Sequence, residues 1–135
     1  MMEMPEAAEL ALEEVRRSGV GYADVRAGRE DSESVDVRDQ QVEGISRGTS
    51  RGVGIRVLND GAWGFAATAQ LDADSVRATA RLAIDVARSS QRLASQARLD
   101  DSPPPVGDYT TPYQRDPFDV PLQEKIAHLL DHALQ

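Results

Sequence analysis

The stretch RGVGIRVLNDGAWGFAAT, residues 51–68, decides the fold because two apolar segments flank a sequence typical of a tight turn. Val53, Ile55 and Val57 recur at every second position, which is the period of a strand with one buried face. The sequence NDG at 59–61 then supplies residues that tolerate positive φ. The stretch therefore predicts a β-hairpin.

Three shorter segments before the hairpin also predict strands, at Tyr22–Ala27, Ser34–Arg38 and Gln41–Arg47. Polar pairs between them, Asp31-Ser32 and Asp39-Gln40, are typical of turns. Connections this short favour antiparallel neighbours over parallel crossovers. These three strands and the two strands of the hairpin are expected to form an antiparallel meander of about five strands.

Helices are predicted on both sides of this meander. Pro5–Arg17 has proline in its first turn and arginines at its end, which suits the helix dipole. Asp72–Arg98 is the longest helical pattern, with Asp72 as the N-cap and a small apolar stripe that suits close packing on a sheet. A last helix covers Pro121–Ala133. The predicted fold class is α+β, with helices layered on the antiparallel sheet.

The domain organisation follows from a change in composition after the long helix. Residues 1–98 are predicted to form the α+β core. Residues 99–120, which contain three consecutive prolines, cannot continue a helix and are predicted to form a Pro-rich strap or linker. Residues 121–135 are predicted to start a helix that continues toward a further part of the protein.

Composition excludes several classes of function. The net charge of −8 disfavours direct binding to nucleic acid or an anionic membrane. No apolar run approaches the roughly 20 residues of a membrane helix, and the acidic N-terminus does not resemble a signal peptide, so we expect a cytoplasmic protein. The absence of cysteine excludes disulfides, thiolate metal sites and a cysteine nucleophile.

Two histidines with helical spacing raise the question of a metal site. His128 and His132 lie four residues apart, as in zinc sites built on one helix. Leu129 stands where the HExxH pattern needs a glutamate to activate water. The alternative is that both are solvated side chains at the end of a helix, and we predict no metal or catalytic residue in this chain.

The glycines of the hairpin and its tryptophan each allow more than one interpretation. Gly52 and Gly54 could cradle a phosphate, but such loops lead into a helix, so these glycines more simply clear one sheet face for a helix or another backbone. Trp63 is a hairpin-packing or core residue, or an exposed aromatic used in recognition.

Three segments read together resemble one family. They are GYADVRAG at 21–28, the hairpin at 51–68 and YQRDPFDVPLQEKIAHL at 113–129. Their order and spacing resemble the N-terminal domain of the TldD/PmbA family, once called modulators of DNA gyrase. The third segment resembles the TldD branch at Tyr113, Asp116, Pro117, Glu124 and Lys125.

The resemblance implies a zinc metallopeptidase that cleaves peptides or unfolded proteins, as a homodimer or with a PmbA-like partner. In the family, zinc is held by an HExxxH helix in the C-terminal part of the protein, and that motif does not occur in this sequence. The chain is therefore expected to be a non-catalytic domain for the substrate cleft and assembly, inactive alone, with zinc bound elsewhere in the full-length protein.

The residues expected near the cleft or a partner lie in the hairpin, where an extended peptide could also add to the sheet as a strand. A hypothesis from another class is a free-standing protein-protein interaction module without enzymatic activity. The expected contact residues are Gly52, Gly54, Arg56, Trp63 and Phe65.

Overall fold

The computed structural model describes residues 1–93 and 96–133, which form helices and an antiparallel sheet. The predicted α+β class is confirmed. The described elements, in chain order, are helix α1 (Met4–Arg17), strands β1 (Tyr22–Arg38), β2 (Gln41–Asn59) and β3 (Ala62–Thr68), helix α2 (Ala73–Ser90), two short 3-10 helices (Gln91–Leu93 and Pro117–Asp119) and helix α3 (Leu122–His132).

The sheet contains three strands in the order β1-β2-β3 among the described residues, so the prediction of about five strands is wrong. Each of the two long strands joins segments that we predicted to be separate. The turn predicted at Asp31-Ser32 is absent because these residues remain extended and bond across the hairpin. Thr49 Oγ1 donates to Asp31 Oδ1 at 2.6 Å, and Ser32 Oγ donates to the Gly48 carbonyl at 3.4 Å.

The chain reverses direction where two consecutive residues have positive φ. Asp39 and Gln40 have φ of 46° and 62°, and Asp60 and Gly61 have φ of 48° and 79°. Two-residue loops of this type match the twist of the strands that they connect. The predicted hairpin turn after residue 59 is thus confirmed, and β2 pairs with β3 from Asn59↔Ala62 to Val53↔Thr68.

The chain divides into two compact units that we describe separately. The first unit contains Met1–Glu30 and Ser50–Asp101, and the second contains Asp31–Thr49 and the described part of Ser102–Gln135. The predicted boundaries at residues 98 and 120 remain predictions.

The core of the first unit lies between the sheet and two helices. Helix α2 packs against β3, and α1 packs against α2. The side chains of this core are aliphatic and mostly small. The alanines on both helices allow the helix backbones to pack closely. Fully buried members include Ala7, Ala11, Val15, Val53, Ile55, Val57, Val76, Ala80, Ala83 and Ala87.

Gly64 marks the closest approach of helix and sheet. A Cβ atom at Gly64 would lie 2.1 Å from the Ala83 carbonyl oxygen and 2.5 Å from the Ala87 nitrogen, so only glycine fits without displacing α2. The sequence predicts this clearing role for Gly52 and Gly54 instead. At Gly52 a Cβ would meet the Thr68 carbonyl oxygen at 2.8 Å, whereas Gly54 faces the ring of Phe65 at 3.3 Å.

Helix α2 is shorter than the predicted Asp72–Arg98. Asp72 is the N-cap as expected, and its Oδ1 accepts from the Ser75 backbone N–H at 2.9 Å. The helix ends at Ser90 and continues briefly as a 3-10 turn, since serines near its end weaken the helical preference. Residues 94–95 of the prediction lie outside the described residues. Beyond them, Ala97 N donates to the Gly61 carbonyl at 3.0 Å.

Residues 96–116 of the described chain contain no helix or strand. The short helix Pro117–Asp119 follows, and Asp116 caps it through Phe118 N at 2.9 Å. Helix α3 lies within the predicted range Pro121–Ala133. The last two residues, 134–135, lie outside the described part of the chain.

Candidate functional site

Strand alternation gives the sheet of the first unit a second face, opposite to the helix-covered one. We call it the open face. Val53, Ile55 and Val57 point into the core, so the residues between them point away from it. The register pairs Arg56 with Phe65 on this face. The side chain of Phe65 is 62% exposed and that of Trp63 is 36% exposed, so large aromatic surface remains in contact with solvent.

Arg56 is held in place on the open face by a carboxylate and an aromatic ring. Its Nε donates to Asp24 Oδ2 at 2.8 Å, and its Nη2 lies 2.7 Å from the same oxygen. The Cζ atom of Arg56 lies 4.7 Å from the centroid of the Trp63 ring, a cation–π distance. Tyr22 packs edge-on against that ring, with centroids 6.2 Å apart. The hydrogen bond to Asp24 raises the pKa of Arg56 above its already high ordinary value.

A trough of about 500 Å³ lies on the open face, and we call it the glycine trough. Gly28, Gly52 and Gly54 belong to its lining, together with the exposed ring of Phe65. A Cβ atom at Gly28 would meet nothing within 4 Å, so space is open above that residue. The charged residues of the lining are Asp24, Arg26, Arg29, Glu30, Arg51 and Arg56.

The structure brings together four of the five predicted contact residues, because Gly52, Gly54, Arg56 and Phe65 all line the glycine trough. The fifth, Trp63, supports Arg56 from beside the trough and packs on the hairpin. Whether these residues contact a substrate or a partner stays a prediction.

Sequence reasoning missed the contribution of β1 to this site. Arg26 and Gly28 share the trough with residues of β2, and the sequence pattern alone predicts no role for either residue. The signal was present in the segment GYADVRAG, where Asp24, Arg26 and Gly28 recur at the strand period. Without the pairing of β1 with β2, however, that period could not show which residues of β2 lie beside them.

In the second unit, Glu33 connects strand β1 to helix α3 and to strand β2. It forms ion pairs with Lys125 and Arg47, and its side chain is only 8% exposed. The hydrogen bond from Lys125 is the main reason that the pKa of Glu33 lies below its ordinary value, and Arg47 acts in the same direction. The Glu33 carboxylate pairs with the positive charges of both Lys125 and Arg47. The cluster therefore links β1 to α3 and β2.

The two histidines of α3 are exposed, with ring centroids 4.5 Å apart. His132 Nδ1 lies 3.0 Å from the His128 carbonyl oxygen, so one ring nitrogen has a partner within the helix. Across residues 1–93 and 96–133, we find no group of three or more metal-ligating side chains. In the same ranges, no helix has the length and apolar character needed to cross a membrane.

These features define an α+β domain in which helices cover one face of an antiparallel sheet and charged and aromatic residues occupy the other. Residues 23–87 match the family model described as PmbA/TldA metallopeptidase domain 1. A metalloprotease of Methanothermobacter thermautotrophicus is 31% identical over 106 residues. The chain belongs to the TldD/PmbA family and contains its N-terminal domain, which confirms the resemblance seen in the sequence.

The similarity to the archaeal metalloprotease covers 78% of this chain but only 22% of that protein. The matched segment of the family model ends within α2, and it includes most of β1, all of β2 and β3, and therefore the glycine trough.

Proposed function

We propose that this chain is the non-catalytic substrate-cleft and assembly domain of a TldD/PmbA-type zinc metallopeptidase that acts on peptides or unfolded proteins. The observation that carries the proposal is the glycine trough on the exposed sheet face of a metallopeptidase-family domain 1. Peptides bind as extended chains, and a sheet surface cleared of side chains can accommodate a backbone lying across it.

The residues of the trough bind and orient rather than react. Arg56 carries a fixed positive charge, since Asp24 and Trp63 hold its guanidinium in one position. Phe65 offers apolar surface to a substrate side chain. A catalytic carboxylate would have to be available for proton transfer, and Asp24 on the open face is bound to the guanidinium of Arg56.

Zinc belongs to another part of the full-length protein in this proposal. The sequence contains no HExxxH motif, and the two histidines of α3 lack the glutamate that such a helix requires. The proposal also includes assembly as a homodimer or with a PmbA-like partner, membership of the TldD branch and a cytoplasmic location. The segment at 113–129 supports membership of the TldD branch, and the acidic composition supports the cytoplasmic location.

Reading the gene past codon 135 is the first test. We expect the frame to continue into an HExxxH helix. A stop codon soon after Gln135 would contradict the peptidase assignment and favour a free-standing interaction module instead.

The second test measures peptide hydrolysis by the full-length protein with Phe65→Ala and with Leu82→Ala. Both side chains are large and exposed, but Leu82 lies on α2. A cleft role predicts a raised KM with unchanged kcat for Phe65→Ala alone, because lost ground-state contacts do not alter the chemical step. Equal KM values for the two variants would exclude Phe65 from the cleft.

A further inference from the structure

Strand β3 forms one outer edge of the sheet, so it has a neighbouring strand on one side only. In a hairpin with a two-residue loop, the residues that flank the loop form a hydrogen-bonded pair, and such pairs recur at every second residue. Asn59 and Ala62 are the flanking residues. The residues that point their N–H and C=O groups away from β2 are therefore Trp63, Phe65 and Ala67.

Within residues 1–93 and 96–133, no separate element supplies a backbone partner for these outward groups. The backbone hydrogen bond from Ala97 N to the Gly61 carbonyl reaches only the turn before β3. Unpaired N–H and C=O groups along an edge are a template for pairing with another extended chain. The edge of β3 can therefore accept a further strand.

The two outer strands of the first unit differ in their protection against such pairing. Charged side chains and proline discourage the addition of a strand to an edge. In this unit β1 carries Asp24, Arg26, Arg29 and Glu30, whereas β3 has the sequence AWGFAAT, without charge or proline. The edge of β3 is therefore the one suited to a partner strand.

Helix α2 places apolar side chains beside this edge. Leu82 and Val86 each precede one of the two alanines that approach Gly64, and they are 56% and 37% exposed. Each residue turns a helix by about 100°. Arg88 follows the second of these alanines and donates from Nη2 to the Ser18 carbonyl at 3.2 Å, so it faces α1. Because α1 shares its core with β2, Leu82 and Val86 lie on the side of α2 that is beyond β3.

A single extended strand fits this edge better than a second copy of the chain does. Paired strands lie about 4.8 Å apart, whereas the axes of packed helices need a separation of at least about 8 Å. The backbone of α2 sits directly on Gly64 of β3. Symmetric pairing of two β3 edges would therefore bring two copies of α2 too close, and a strand without a covering helix avoids this clash.

We propose that the edge of β3 binds an extended, uncharged strand of a partner protein, antiparallel to β3 and with apolar side chains at alternate positions. The strand exchanges backbone hydrogen bonds with Trp63, Phe65 and Ala67. Its apolar side chains pack against Leu82 and Val86. The inference deepens the assembly part of the proposed function and rests on it, because it assigns the class of partner and the strand that receives it.

Pairing is tested with fluorescein-labelled peptides as long as β3, which has seven residues. The peptide alternates valine and threonine, begins and ends with valine, and has capped ends. In an antiparallel strand whose valines face α2, the threonine N–H groups point at β3.

One form of this peptide is N-methylated at its three threonines, and the other at three of its valines. We expect the form methylated at threonine to bind the full-length protein at least about tenfold more weakly, as measured by fluorescence anisotropy, because it loses its donors to β3. The form methylated at valine should bind as the unmethylated peptide does.

The double variant Leu82→Ser/Val86→Ser assigns binding to this edge. We expect it to weaken binding of the unmethylated peptide about tenfold, because the valines of the peptide lose apolar contacts. Leu93→Ser/Val106→Ser removes the same two residue types from positions that are 92% and 99% exposed, and should leave binding unchanged. Equal effects of the two double variants would overturn the proposal.

The other outcomes separate this inference from the proposed function. If no peptide binds, or if methylation at valine weakens binding more, the strand addition is wrong, whereas the cleft role still depends on hydrolysis by Phe65→Ala. If the peptides bind as expected but Phe65→Ala leaves KM unchanged, the cleft role fails and the strand addition stands. Self-association of the full-length protein that Leu82→Ser/Val86→Ser abolishes would replace the partner strand with a second copy.

Discussion

The two faces of one hairpin in the first unit differ sharply, although the same strands build both. On the helix-covered face, Val53, Ile55 and Val57 are at most 1% exposed, and Gly64 admits the backbone of α2. On the open face, Phe65 is 62% exposed. The alternation of side chains assigns the strand residues to two faces. The close approach of the α2 backbone to Gly64 shows which of these faces the helix covers.

The comparison also separates two uses of glycine. Gly64 is needed because a helix backbone fills the space where a Cβ would stand, whereas a Cβ at Gly54 would meet only the ring of Phe65 at 3.3 Å. An exposed ring can move aside, but a packed helix cannot do so without opening the core. Gly64 thus has a structural role on the covered face, whereas Gly54 on the open face faces only a ring that can move.

The two faces should differ most in the free energy of unfolding that is lost when a large side chain is truncated. Ile55→Ala leaves a cavity in the core and should lower the free energy of unfolding by about 4 kcal/mol. Phe65→Ala removes a mostly exposed ring and should cost below about 1 kcal/mol. Urea denaturation of both variants checks this. Similar costs would mean that the open face is packed in solution.

Adding one methyl group to each face tests the glycines. Gly64→Ala should destabilise the chain by about 3 kcal/mol, since the contact at 2.1 Å is with helix backbone. Gly54→Ala should cost below about 1 kcal/mol. The difference between the two denaturation midpoints is the measurement, and a Gly54→Ala cost as large as that of Gly64→Ala would contradict the distinction between the faces.

Acid should lower the stability of the folded chain by protonating Asp72, the N-cap of the helix that packs on the covered face. The hydrogen bond from Ser75 N holds the pKa of Asp72 below its ordinary value of 3.8. A lowered native pKa means that ionised Asp72 contributes stability above pH 3.8, and that this contribution is lost as the pH falls through the native pKa.

The variant Asp72→Asn isolates this effect, because asparagine keeps the cap but does not titrate. Its stability deficit relative to the wild type should shrink as the pH falls below 3.8, as measured by thermal denaturation across pH. Asp85→Asn, exposed on the same helix, provides the control for the loss of a charge. A deficit that is constant with pH would show that the charge of Asp72 does not matter.

The smallest expected effect concerns the open face. Iodide should quench the fluorescence of Trp63 more strongly than caesium does, because the Arg56 guanidinium lies over the ring and attracts anions. Arg56→Gln should reduce the excess quenching by iodide. Equal quenching by both ions in the wild type would mean that the ring and Arg56 are apart in solution.

The elements that could be predicted from the sequence are those whose structure depends on a local pattern of residues. The apolar alternation at 53, 55 and 57 and the turn at Asp60-Gly61 predicted the hairpin, and the apolar stripe after Asp72 predicted α2. These elements carry their own signals, since capping and positive φ depend on nearby residues.

Long-range features could not be predicted in this way. Asp31-Ser32 has the composition of a turn but remains extended, because partners across the hairpin accept or donate its hydrogen bonds. The role of Gly64 and the meeting of Gly28 with Gly54 in one trough both depend on which strands pair and which face the helix covers. Both follow from tertiary packing rather than from local sequence.

Photocrosslinking from the open face tests the central claim most directly. Benzoylphenylalanine would replace Phe65 in one full-length protein and Leu82 in another, since both side chains are exposed but only Phe65 lies on the open face. The account predicts that a bound, uncleaved peptide substrate is labelled from position 65 and not from position 82. Labelling from position 82 alone, or no labelling of the peptide from position 65, would contradict it.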